Sequence, residues 1–264
     1  FRIRLVFDGL LAVDKAAIAA VQAILAERFP AISPAEEEAI PAKLRDPLAH
    51  RFRTILFVAE SGASRTVRGF ALVLHVPDLR FCWLDYISVA PRLAGGGVGA
   101  ALYARVREEA AALSCVGLCF ECLPDDPALC RDKAVQAENR ARLRFYERFG
   151  ARPVVGTAYE TPLTPGGDCP PYLVFDGLGR TRGLPKAVAR KMVRAILERK
   201  YAKLCPPAYV DLVVRSFTDD PVRLRPPRYL KAEAAPAAPA PAQAGERIVL
   251  TVNDRHEIHH VHER

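Results

Sequence analysis

The sequence predicts an α/β fold. Apolar runs of strand length at 54–59, 67–75 and 81–89 are rich in Val, Ile, Leu and Phe. Stretches of helical period sit on either side of them, and Gly, Pro, Asp and Ser separate the two kinds of segment. At 264 residues the chain can bury a sizeable core.

The elements follow in order. Arg2 to Phe7 reads as a first strand. Asp14 is placed to cap a helix running to about Arg28, with Ile18, Val21, Ile24 and Leu25 as its buried stripe. Ser33-Pro34-Ala35-Glu36-Glu37 starts a second helix, with proline in the first turn and acids complementing the dipole. Three strands follow at Thr54 to Ala59, Val67 to His75 and Phe81 to Val89; in the last, Phe81, Trp83, Ile87 and Val89 share one face. Val98, Leu102, Val106, Ala110 and Leu113 then mark a helix, and Cys115 to Leu123 a strand. A helix from Asn139 ends at Gly150, where a left-handed cap is expected. A strand pair, Pro153 to Tyr159 and Tyr172 to Asp176, is joined by the proline- and glycine-rich loop Thr161 to Pro171, whose length suits an acceptor-site border. Helices are expected at Pro185 to Lys203 and Ala208 to Phe217.

Four glycines, Gly95, Gly96, Gly97 and Gly99, lie between the third strand and the helix that begins at Val98. A glycine turn there leaves backbone N–H groups uncovered at a helix N-terminus, and missing Cβ atoms let a bulky anion approach. The chemistry implied is phosphate or pyrophosphate binding; the plain alternative is a turn that binds nothing. A P-loop is excluded, because Ala100 and Ala101 stand where lysine and serine or threonine are required. Glu121 satisfies the spacing of a dinucleotide fingerprint, but the glycine loop follows three apolar runs instead of opening the domain.

The second motif is Asn139-Arg-Ala-Arg-Leu-Arg-Phe-Tyr-Glu-Arg-Phe-Gly150, with Asn139, Leu143, Tyr146 and Gly150 on one stripe. Together with Val89-Ala-Pro and the glycine loop, it resembles the GNAT N-acetyltransferase superfamily over residues 1–178. The resemblance implies a mixed, mostly antiparallel central sheet flanked by helices, here with a C-terminal helical extension. It implies binding of acetyl-CoA as cosubstrate by Ile87, Ser88 and Val89 at the strand end, by Ala94, Gly95, Gly96, Gly97, Val98, Gly99 and Ala100 in the pyrophosphate loop, and by Asn139 and Tyr146. Tyr146 matches the tyrosine that commonly protonates the leaving thiolate. Two positions depart from the pattern: Ala94 stands where the family has Arg or Gln, and Ala151 replaces an aromatic after the helix-ending glycine.

Acetyl transfer to an amine needs a base, stabilisation of an oxyanion and an acid for the thiolate. Tyr146 suits the acid, against the alternative of a packed core aromatic. Asp85 and Glu121 are carboxylates inside apolar strands and candidate bases; the alternative for each is a salt bridge to arginine. Direct attack in a ternary complex is the expected mechanism, and the amine acceptor is not readable. Two other classes fit the sequence: a catalytically silent acyl-CoA-binding regulatory module of a larger bifunctional protein, and a basic interaction module.

The chain carries a net charge of +8. Residues 179–231 hold 14 Lys/Arg against 4 Asp/Glu, which points to a helical extension with a basic face that an acidic partner could meet. The apolar runs are shorter than the ~20 residues of a membrane span, no N-terminal signal is visible, and a cytoplasmic location is expected. Seven cysteines without a signal favour reduced thiols. No metal is expected. Cys119 and Cys122 are spaced C-x-x-C, but on a strand they face opposite ways, and His256-Glu257-Ile258-His259-His260 lacks a downstream third ligand. Residues 232–245 read as an Ala/Pro linker. The strand-like stretch 246–264 is similar to the start of a deacetylase-type amidohydrolase domain, a covalently linked second domain.

Overall fold

The computed structural model describes residues 1–62, 64–91, 96–163 and 167–230. The expected linker and strand-like tail lie outside the described residues. The chain divides into two compact units, residues 1–115 and 116–230, in both of which strands pair antiparallel and helices flank them.

In the first unit, strands β1 (Arg2–Val6), β2 (Arg53–Glu60), β3 (Val67–Val76) and β4 (Phe81–Val89) form an antiparallel run in chain order. Both faces of β4 are buried along its whole length, so it carries bulky apolar residues at even and odd positions alike. The helices are α1 (Ala12–Arg28), the short α2 (Pro34–Glu38), α3 (Ile40–Arg45) and α4 (Pro47–His50), and α5 (Val98–Ala112). Ile18, Val21, Ile24 and Leu25 of α1 join Leu56, Val58, Phe70, Leu72 and Tyr86 in one apolar cluster. Ser33 caps α2 by accepting from the Glu36 N–H, as the Ser-Pro-x-Glu pattern requires.

The start of α1 is a correction. Leu11 occupies the cap position with no side-chain cap bond, and Asp14 lies inside the first turn, 3% exposed. Asp14 is drawn there by Arg4, whose guanidinium bridges the Asp14 and Glu60 carboxylates and so ties β1, α1 and β2 together.

The second unit contains β5 (Leu118–Cys122), α6 (Lys133–Glu147), β6 (Arg152–Pro153), β7 (Tyr172–Asp176), α7 (Lys186–Arg199) and α8 (Pro207–Ser216), with strands in the order β5-β7-β6. Helix α6 begins six residues before Asn139, because Asp132 caps it by accepting from the Ala134 and Val135 amides. Gly150 takes the left-handed conformation at the helix end, φ 86°. The strand expected from Pro153 to Tyr159 stops at Pro153. Gly156 turns the chain with φ 75°, Val154 bridges to Leu224, and residues 158–160 form a 3₁₀ turn.

The expectation of reduced thiols is corrected at one pair: Cys130 and Cys169 form a disulfide across a sequence separation of 39. Nothing in their spacing signals it; the Cys169 N–H bonds the Leu129 carbonyl and brings the two loops together. The other five cysteines are buried and not joined by disulfides. Burial, reinforced by Asp176, pushes the Cys119 thiol far up.

Candidate active site

In the first unit, β3 and β4 pair in register from Phe81 to Leu84 and again from Tyr86 to Val89. Leu72 faces Tyr86 and Val73 faces Leu84, so Asp85 is the extra residue of a β-bulge. A bulge re-aims its side chain and bends the strand, and bulges recur beside active sites. Asp85 is 2% exposed, more deeply buried than a half-buried strand implies. Beyond it, Ile87, Ser88 and Val89 are all buried, and Ser88 Oγ has no hydrogen-bond partner among the described residues. Gly69 of β3 lies against this strand end: a Cβ there would stand 2.7 Å from the Ser88 carbonyl oxygen.

Ala94 and Gly95 lie outside the described residues. Gly96 and Gly97 take left-handed φ of 66° and 74°, and an added Cβ at either would meet nothing within 4 Å. Gly97 is the cap residue of α5, and no cap side chain bonds the first-turn amides. The first intrahelical bond runs from the Ala101 N–H to the Gly97 carbonyl. The amides of Val98, Gly99 and Ala100 therefore have no partner within the helix. Val98 is buried and anchors the turn, while Gly99 and Ala100 are half-buried.

In the second unit, Glu121 of β5 is fully buried, and its two carboxylate oxygens accept from the hydroxyls of Tyr159 and Tyr201 at 2.7 Å each. Two tyrosine hydroxyls thus donate to this carboxylate. Asn139 of α6 is also fully buried; its side-chain amide donates to the Pro124 carbonyl, while Oδ1 has no partner among the described residues. Tyr146, the penultimate residue of α6, is fully buried, its ring 4.4 Å from that of Phe120 and 5.1 Å from that of Phe145. Ala151, where the resemblance implies an aromatic, is 2% exposed.

The family model for the acetyltransferase (GNAT) domain matches residues 53–150, from β2 to the glycine that ends α6. Over that segment the chain is similar to the GNAT family. No curated protein sequence matches it. Among solved structures, an aminoglycoside 6'-N-acetyltransferase complexed with coenzyme A superposes with a TM-score of 0.50 at 16% identity, covering 67% of this chain and 97% of that one. The aminoglycoside 6'-N-acetyltransferase from Enterococcus faecium gives 0.45 at 15%, with 67% and 97% covered. Tetrahymena GCN5 gives 0.45 at 11%, with 66% and 94% covered.

Within residues 53–150 the sequence located the glycine turn and the Asn139-to-Gly150 helix, and it missed the bulge at Asp85. A bulge is a count of residues against a partner strand, invisible without the pairing. It also missed Tyr201, which lies 80 residues from Glu121, beyond the matched segment, in the turn after α7. The basic extension spends part of its charge internally. Arg190 donates to the Phe217 and Arg215 carbonyls, and Arg194 pairs with Glu198 and Asp211.

Proposed function

We propose that this protein transfers an acetyl group from acetyl-CoA to an amine. The observation that carries the reading is the start of α5: an uncapped 15-residue helix entered through two left-handed glycines with open space around them. Amide donors with no side-chain competitor suit a pyrophosphate, and the helix dipole favours the negative charge. The buried, unpartnered Ser88 Oγ and Asn139 Oδ1 are further polar atoms among the residues that the family resemblance assigns to the cofactor.

Acetyl-CoA supplies an activated thioester when bound. The remaining roles fall to the chain's own groups. Asp85 is proposed as the base, directly or through water, because the bulge re-aims it. Glu121, held by two tyrosine hydroxyls, is proposed to position the region around it. Tyr146 is proposed to hold the proton that the departing sulfur takes. Replacing Tyr146 by Phe removes one hydroxyl and keeps the packed ring. Turnover is expected to fall by about 10²–10⁴-fold with acetyl-CoA affinity intact, measured as free thiol released with a panel of amines. Unchanged turnover removes Tyr146 from the mechanism.

A second reading, a catalytically silent acyl-CoA-binding module, is favoured by Ala94 at the Arg/Gln position. Saturable acetyl-CoA binding with no thiol release for any amine would select it. The basic extension as an interaction module is less favoured, since Arg190 and Arg194 are engaged within the unit.

A further inference from the structure

Two loops of the second unit meet at Cys130, Asp168 and Cys169. Two sulfurs and a carboxylate oxygen lie there within 4.8 Å of one another, a grouping that no other His, Cys, Asp or Glu side chains make among the described residues. Hydrogen bonds hold the two loops together besides the disulfide. The Cys169 N–H donates to the Leu129 carbonyl at 2.7 Å, and the Arg131 N–H donates to Asp168 Oδ2 at 3.3 Å. Cys130 is fixed in its own loop: its N–H donates to the Asp126 carbonyl, and its carbonyl accepts from the Gln136 side chain. Opening the S–S bond therefore leaves two thiols side by side next to a carboxylate. Asp168 Oδ1 makes no hydrogen bond among the described residues and is available as a ligand.

Two thiolates and a carboxylate suit Zn²⁺. Sulfur selects a borderline-soft cation over Mg²⁺ or Ca²⁺, and Zn²⁺ takes Cys and Asp ligands in a tetrahedron whose corners stand ~3.3–3.8 Å apart. The Arg131 amide steadies the carboxylate from outside, as bonds behind metal ligands do. Cys130 is fully buried, whereas Asp168 and Cys169 are half-buried, so the cluster is reached from solvent on their side.

We propose that Cys130, Cys169 and Asp168 bind Zn²⁺ when the Cys130–Cys169 disulfide is reduced. Reduction adds two electrons and two protons, taken from a dithiol that is itself oxidised to a disulfide. On binding the metal, both thiols release their protons to solvent, and water takes the fourth position. The metal then ties the two loops in the reduced chain as the S–S bond ties them in the oxidised one. The expectation of no metal weighed the C-x-x-C pair and the histidine-rich tail; Cys130 and Cys169, 39 residues apart, form no motif. The site does not depend on the acyl-transfer reading.

The test is titration of the full chain with Co²⁺, whose bonds to thiolate give a near-ultraviolet charge-transfer band, followed by displacement with Zn²⁺. A thiol count on the unfolded chain separates the oxidised form from the reduced one. The reduced chain is expected to develop the band with one Co²⁺ per chain and to lose it to Zn²⁺ with a dissociation constant below about 10 μM. The oxidised chain should give no band. Cys130→Ser and Cys169→Ser should each abolish it, Asp168→Asn should weaken Co²⁺ about tenfold, and Cys119→Ser should leave it unchanged. Zn²⁺ should raise the melting temperature of the reduced chain and not that of the oxidised one. The proposal is overturned if the reduced chain gives no band, if the oxidised chain gives the same band, or if the band survives in Cys169→Ser. Should Cys130→Ser fail to fold, the oxidised wild type and Cys169→Ser, altered at a half-buried position, still decide the matter.

Discussion

Arg4 joins three elements through two carboxylates that are almost fully buried, with side-chain exposures of 4% for Asp14 and 2% for Glu60. Removing the guanidinium leaves Asp14 without this cation and Glu60 with only the more exposed Arg2, and breaking a buried pair in this way costs up to about 3–5 kcal/mol. Arg4→Ala is therefore expected to lower the denaturant midpoint sharply with little change in the slope. A loss under about 1 kcal/mol would show that the acids find water instead. The sequence placed Asp14 near the helix start but gave it a capping role, because its partner on β1 is ten residues away and carries no local signal. Asp85 and Glu121 were legible as carboxylates out of place in apolar strands. What holds them was not, since the β3–β4 register and Tyr201 are long-range features.

At the scale of elements, the turn into α5 makes a separate prediction. Gly97 holds φ 74° with open space beside it, so a substitution there is limited by backbone conformation and not by volume. Alanine pays about 1–2 kcal/mol in the left-handed region, whereas asparagine tolerates it. Gly97→Ala should lose roughly 1 kcal/mol of stability and weaken acetyl-CoA, while Gly97→Asn should lose less of both. Equal losses by thermal melting and titration would remove the conformational account.

The segment 222–230 forms a strap in the second unit. Glu147 accepts from the Arg228, Tyr229 and Leu230 amides, and Asp125 is met by Arg225, Arg228 and the Tyr229 hydroxyl. Burial pushes the Asp125 carboxyl up, but the bonds from Tyr229 and Arg225 outweigh it and hold it below its ordinary value. A depressed carboxylate stabilises the folded form in full above its unfolded pKa, near ~3.9, and that contribution fades as pH falls through the lower folded value. The side-chain resonances of Arg225 and Arg228, which pair with Asp125, should therefore stay native down to pH ~4 and change only below it. Asp125→Asn should release the strap at neutral pH, at a cost of about 3 kcal/mol. Release of the wild-type strap at pH 5 to 6 would contradict this assignment. Burial and the Asp125 bond likewise push the Tyr229 hydroxyl up to about 12, so it stays a donor throughout this range.

For the whole molecule, element types were mostly legible and element limits less so. Periodicity alone identified α1, α5, α7 and α8 and the strands β2 to β4, because each has an apolar face that must be buried. It overextended the strand at Pro153, where Gly156 and the bridge to Leu224 divert the chain, and Leu224 is 70 residues distant. The Cys130–Cys169 disulfide was hidden for the same reason. The glycine turn and α6 were legible because their chemistry is local. Of the two tyrosines on Glu121, Tyr201 comes from the extension at 179–230, 80 residues away.

The measurement that bears most directly on the acyl-transfer account is a thermal-shift titration with acetyl-CoA, using desulfo-CoA and ADP as controls. The account predicts a saturable rise equivalent to about 2.7 kcal/mol at ~100 times the dissociation constant, reduced in Gly97→Ala. Absence of any shift at millimolar acetyl-CoA would contradict it: the turn before α5 would then hold no pyrophosphate.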